Sequence, residues 1–248
     1  MNRPEFILNN VSKIYSVNNK SHIVFENLNI SIKADEITVI IGESGCGKTT
    51  LLRIIAGLED FNSGKVSYFQ DKEIKNIKTG IVFQESRLMP WLNVTENILF
   101  SINNKNIRKN TEVLKKLDKY LKIMKLENFK KAYPNELSGG MAQRVSIARA
   151  MFYEPDVFLM DEPFSALDYF TKKDMQSEVI KIYEETKKGI IFVTHDIDEA
   201  LKIANKIIVF TPNKTIEEFE INYGFDRNIT DEKFIKLKDK ILKILKEE

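Results

Sequence analysis

Residues 37–58 read ITVIIGESGCGKTTLLRIIAGL. An apolar run (37–41) leads into the octet GESGCGKT at 42–49, and residues 49–58 then carry leucine and isoleucine at helical spacing. The octet fits the P-loop pattern G-x-x-x-x-G-K-T, and a strand before it with a helix after it is the setting the pattern needs. Glycines let such a backbone wrap until its N–H groups converge on phosphate oxygens, at the positive end of the helix. Gly42, Glu43, Ser44, Gly45, Cys46, Gly47, Lys48 and Thr49, with Thr50 next, therefore form the candidate phosphate cradle. Lys48 is suited to reach the β- and γ-phosphates, and the Thr49 hydroxyl to ligate Mg²⁺. Cys46 stands where the pattern tolerates many residues, so its contribution is its backbone N–H.

Beyond that stretch, the composition is that of an ordinary globular protein. The 248 residues are 43% hydrophobic and 30% charged, with a formal net charge of +2. The charge balance gives no reason to expect nucleic acid as a partner. Residues 105–131 carry ten Lys or Arg against three acids, a run that reads as a solvated helical face. A single cysteine excludes an internal disulfide framework and fits a reducing compartment. The opening residues MNRPEFILNN lack the apolar segment of a secretory signal. No apolar run approaches the ~20 residues that span a bilayer.

Further short apolar runs at 81–83, 157–160, 190–193 and 207–210 resemble strands buried on both faces, as in a parallel sheet covered by helices. Helical stretches lie between them, among them 171–186 and 196–204, so the core is expected to be α/β. Residues 6–15 and 23–32, separated by the polar residues 16–20, suggest an antiparallel flap. From about 88 to 152 the strand signal gives way to helical periodicity, with Val113, Leu117, Leu121 and Met124 on one stripe. The expected division is a core of 1–87 and 153–215 including the N-terminal β subdomain, a helical subdomain of 88–152, and an extension of 216–248. The extension ends in an amphipathic helix whose stripe Phe234, Leu237, Ile241 and Leu245 is expected to dock on the core.

Candidate catalytic residues lie at the ends of the predicted strands, where α/β sheets place ligand groups. Asp161 and Glu162 follow the run 157–160. Asp161 is suited to hold Mg²⁺ through water, and Glu162 to accept the proton of an attacking water. His195 follows the run 190–194 and is a candidate γ-phosphate contact, while Gln84, after 81–83, is a candidate to bridge Mg²⁺ or the attacking water.

The octet, Gln84, LSGG at 137–140, Asp161–Glu162, SALD at 165–168 and His195 stand in one order and at one spacing. Together they resemble the nucleotide-binding subunits of ABC transporters, over roughly residues 5–215. The resemblance implies a P-loop NTPase, RecA-like α/β core with an antiparallel β subdomain and an inserted helical subdomain, with ATP and Mg²⁺ as ligands. It implies that Tyr15 stacks on adenine, that Gln84 is the joint between core and helical subdomain, and that Asp168 lies in the loop communicating between two nucleotide sites. Ser138, Gly139 and Gly140 look like an N-cap and exposed N–H groups at a positive helix end. This chain's own cradle lies elsewhere, so the phosphate they await is expected to be a second copy's.

The stretches FQESRLMPWLNVTENI (83–98) and YPNELSGG (133–140), with Met141 after them, resemble nitrate/sulfonate/taurine-type importers more narrowly. That resemblance implies a homodimer, separate transmembrane permease subunits, an extracytoplasmic solute-binding protein acting indirectly, and a peripheral place on the cytoplasmic face of the membrane. It leaves little chain for the C-terminal regulatory domain of some sugar and metal importers. Coupling to an exporter or to a mechanotransmitting complex is the alternative. DNA-repair ABC ATPases insert a long coiled coil or zinc hook, and ribosome-binding ones carry two cassettes, neither of which is visible in this sequence.

Overall fold

A computed structural model describes residues 4–17, 20–68, 77–102, 104, 107–165, 167–211 and 215–246. In chain order the strands and α-helices are β1 (Glu5–Val17), β2 (Lys20–Lys33), β3 (Ile37–Gly42), α1 (Lys48–Ile55), β4 (Ser63–Tyr68) and β5 (Thr79–Val82). Then follow α2 (Val94–Ile98), α3 (Thr111–Ile123), α4 (Gly139–Phe152), β6 (Val157–Asp161), α5 (Tyr169–Thr186) and β7 (Gly189–Thr194). The chain closes with α6 (Ile197–Ile203), β8 (Lys206–Phe210), β9 (Ile216–Glu220) and α7 (Glu232–Lys246).

Six strands form one sheet in the order β5-β6-β7-β3-β8-β9. All pairs are parallel except β8 with β9. The four apolar runs that surround the opening stretch are thus the parallel strands, and β3 lies inside the sheet. Successive residues of a strand point to opposite faces, which divides the core in two. Ile40, Leu159, Ile191, Val193 and Ile208 pack with α1 and a three-stranded sheet of order β2-β1-β4. Val39, Phe158, Met160, Phe192 and Val209 pack on the opposite face with α5, α6 and α7.

The antiparallel flap is the β1–β2 pair; residues 18 and 19 of its expected turn lie outside the described residues. Its third strand, β4, reads SGKVSY, and β9 reads IEEFE. Both carry too many small or charged residues to announce a strand, and both are made by pairing with a neighbour already in place. α1 ends at Ile55 rather than 58 because Gly57 takes φ 67° and terminates it.

Among the described residues no strand interrupts the span between β5 and β6. Leu117, Leu121 and Met124 of the α3 region bury against Val145, Ala148 and Phe152 of α4, and Tyr120 meets the Phe152 ring edge-on. Helix α7 docks on α6 and β8 with Phe234 and Ile241 buried, and Lys238 reaches Asp198 at 2.6 Å. No helix among the described residues is long and apolar enough to cross a membrane.

Candidate functional site

The loop between β3 and α1 carries the site. Gly47 holds φ 106°, and a Cβ there would stand 2.5 Å from Val24 Cγ1, so only glycine lets the chain enter α1 against β2. No side chain caps α1, which leaves its first-turn N–H groups for a ligand. Lys48 is buried and bends back over the loop. Its ammonium donates to the Gly42 and Glu43 carbonyls at 2.9 and 2.8 Å. Burial pushes the Cys46 thiol above its usual pKa, which keeps it a neutral packing group beside Lys48.

Ser44, Gly45, Gly47, Lys48, Thr49 and Thr50 line a cavity of about 230 Å³ that Tyr15, His22, Val24 and Glu162 complete. The Tyr15 ring is braced from outside it. Lys13 stands 4.5 Å from the ring centroid, and the Tyr15 hydroxyl donates to Glu59, itself 3.0 Å from Lys13. Burial works against ionisation of Glu59, but the Tyr15 hydroxyl and Lys13 prevail and hold its carboxyl below the usual range. An aromatic wall fixed in this way beside a phosphate cradle is suited to a flat base.

Opposite the cradle, β6 and β7 end side by side. Thr49 Oγ1 donates to Asp161 Oδ1 at 2.9 Å. Burial pushes the Asp161 carboxyl above its usual pKa, although the Thr49 hydroxyl bond works the other way. A hydroxyl and a desolvated carboxylate brought together are hard oxygen donors short of positive charge, which is the chemistry Mg²⁺ selects. Glu162 takes φ 43°, and its N–H donates to Val193 O at 2.9 Å. That left-handed turn, at a cost on the order of 1 kcal/mol, directs the carboxylate into the cavity rather than along the strand. His195 Nδ1 stands 3.1 Å from Glu162 Oε2. The structure thus unites the cradle, Tyr15, Asp161, Glu162 and His195.

The remaining expected residues lie apart from this cavity. Ser138 caps α4 by accepting the Met141 N–H at 3.2 Å. A Cβ at Gly140 would come within 2.7 Å of Thr171 Cγ2, whereas one at Gly139 would meet nothing within 4 Å. Gln84 and Gly139 line a different cavity of about 420 Å³, with Gln143, Pro163 and Leu167. Asp168 caps α5 by accepting the Phe170 and Thr171 N–H groups, each at 3.1 Å; Ala166 of the same motif lies outside the described residues.

Residues 25–165 match the family model described as ABC transporter. The chain belongs to the ABC transporter family. An aliphatic sulfonates import ATP-binding protein of Bacillus thuringiensis is 41% identical over 95% of this chain and 93% of its own length. A taurine import ATP-binding protein of Escherichia coli O157:H7 is 38% identical over 81% of this chain and 80% of its own. Among solved structures, a dimeric post-hydrolysis ATP-binding cassette bound to ADP and Pi is 33% identical, with TM-score 0.75. It covers 88% of this chain and 100% of that one. The fold and the ABC-type ATPase activity expected of the sequence are thereby borne out.

Several residues of this ABC ATPase site were not legible in the sequence. His22 enters the cavity because the hairpin register pairs it with Tyr15. Arg149 and Gln143 of α4 grip the loop that carries Gln84. Arg149 donates to the Ser86 and Arg87 carbonyls at 3.0 Å, and Gln143 Nε2 to the Phe83 carbonyl at 3.0 Å. Burial draws the Arg149 guanidinium below its usual pKa, and the two carbonyls are the polar partners it keeps there. Nothing in the sequence sets Gln143 and Arg149 apart from the other polar residues of α4, Arg144 and Ser146.

Proposed function

We propose that this chain is the ATP-binding and ATP-hydrolysing subunit of an importer for a small solute of the nitrate, sulfonate or taurine class. Two copies close head to tail around two ATP molecules, each lying between one chain's cradle and the other's residues 138–140. Separate transmembrane permease subunits carry the solute, and an extracytoplasmic solute-binding protein delivers it, with the ATPase peripheral on the cytoplasmic face.

The observation that carries the pairing is Gly139. The fold leaves open space around it at a capped helix start, while the chain's own cradle is built elsewhere. Likeness to sulfonate and taurine import ATP-binding proteins supports the solute class.

Within the site, the loop N–H groups and Lys48 bind and orient the phosphates. Thr49 and Asp161 would hold Mg²⁺, which neutralises phosphate charge and polarises the γ-phosphoryl when bound. Glu162 takes the proton of the attacking water at its carboxylate, and His195 holds that carboxylate in place while facing the γ-phosphate. Gln84, gripped by α4, moves with the helical subdomain and joins the site on closure.

Reconstitution in liposomes with transmembrane permease subunits and a solute-binding protein from the same organism tests the reading. ATP-dependent uptake of an aliphatic sulfonate, taurine or nitrate is expected. ATP hydrolysis without uptake of any of the three would contradict the importer assignment.

A further inference from the structure

Behind the His195 loop lies a partly buried ionic group, with Glu199 buried at its centre and no part in the chemistry above. The Thr194 hydroxyl donates to Glu199 and accepts the Asp196 N–H at 3.0 Å. Asp196 caps α6, taking the Asp198 and Glu199 N–H groups at 2.8 and 3.2 Å. Lys172, from the first turn of α5, donates to Asp196 Oδ2 at 2.8 Å and lies 2.9 Å from Glu199 Oε1. That second contact is ionic rather than a directed hydrogen bond.

Of the two neighbours of His195, Thr194 is therefore held by the Glu199 carboxylate and Asp196 by its own, which caps α6, and one ammonium joins the two carboxylates. Burial opposes the charge on both sides. It raises the Glu199 carboxyl; for Lys172 it pulls downward, but the two carboxylates prevail and hold the ammonium above its usual value. The imidazole itself is 59% exposed. Packing does not locate it, so its position depends on Glu162 in front and on the two flanking residues.

The other end of this group reaches α4. Asp168 caps α5, and the Lys172 N–H closes the first turn on the Asp168 carbonyl at 2.9 Å. The neighbouring Thr171 is the residue that any side chain at Gly140 would strike. One turn of helix thus stands between the start of α4 and the His195 loop.

We infer that Lys172 and Glu199 are positioning residues for His195. They tie its loop to the first turn of α5, so the imidazole meets Glu162 only while that turn is seated against the start of α4. The inference rests on the reading of Glu162 and His195 as the hydrolytic pair. It extends that reading to a route by which the dimer-facing helix start governs hydrolysis in the same chain.

The test is a cycle of variants in the full-length protein. Lys172→Met should lower kcat by about ten- to a hundredfold, as slight misplacement of a catalytic group does, with KM for ATP held within about twofold. Lys172→Arg should recover most of the rate. In a His195→Ala background, Lys172→Met should change the rate by less than about twofold, because its effect passes through the missing ring. The sequence has two histidines, His22 and His195, so the imidazole NMR signals of the nucleotide-free protein give a second readout. Lys172→Met should displace the His195 signal and leave the His22 signal in place.

Equal slowing with and without His195, or an unmoved His195 signal, would overturn the inference. A His195→Ala protein of normal rate would instead defeat the hydrolytic reading, and the NMR comparison would still decide the positioning claim. Glu199→Gln, nearly isosteric, takes the same series through should Lys172→Met fail to fold. It is expected to move the His195 signal likewise, and an unmoved signal there counts equally against the inference.

Discussion

Glu162 shows how much one residue's backbone decides. Four fully buried apolar residues precede Asp161 in β6, and a regular continuation would carry Glu162 along the strand. The left-handed turn and the bond to Val193 O instead set its carboxylate beside His195 and the cradle. Glu162→Gln keeps the shape and removes the proposed base. Steady-state turnover should fall by about 10²–10⁴ while nucleotide affinity, measured by titration, is retained. Hydrolysis near the normal rate would remove Glu162 from that role. At this scale most of the site was legible, because cradle, strand end and histidine are local signals set by short spacings. His22 and the Lys13–Glu59 brace were not. Hairpin register brings His22 to the cavity and the fold sets Glu59 beside Lys13 behind Tyr15, and an isolated histidine or lysine carries no mark of it.

Helices and strands differ in how openly they declare themselves. β3, β6, β7 and β8 are continuous apolar runs since the sheet buries both their faces, and the sequence displays them. β4 and β9 owe their existence to pairing with β1 and β8, which no local composition reveals. Helix α4 has a second function hidden in its polar residues. Arg149 and Gln143 bind loop carbonyls, so α4 and the loop bearing Gln84 are tied together. Arg149→Met should leave α4 formed but free that loop, with amide hydrogen exchange at residues 83–87 faster by an order of magnitude or more. Stability should fall by about 1.5–3 kcal/mol, the usual worth of hydrogen bonds to a charged group. Unchanged exchange at 83–87 would show that the loop is held by something else.

On the scale of the whole molecule, the six-stranded sheet brings the cradle, Asp161, Glu162 and His195 to one edge, while the helical subdomain presents Ser138–Gly140 elsewhere. The monomer is self-sufficient in its core, and in the proposed homodimer each copy supplies residues 138–140 to the other's cradle. Gly139 separates these two properties. Space around it is open, and an aspartate at the first position of a helix is favoured by the helix dipole. Gly139→Asp should therefore melt no lower than the parent. It should nonetheless reject the partner's phosphates by charge and bulk. The most direct measurement is the mass of the Glu162→Gln protein in Mg-ATP, with and without Gly139→Asp, by light scattering. A dimer without the second substitution and a monomer with it are predicted; a dimer in both would contradict the shared-site account.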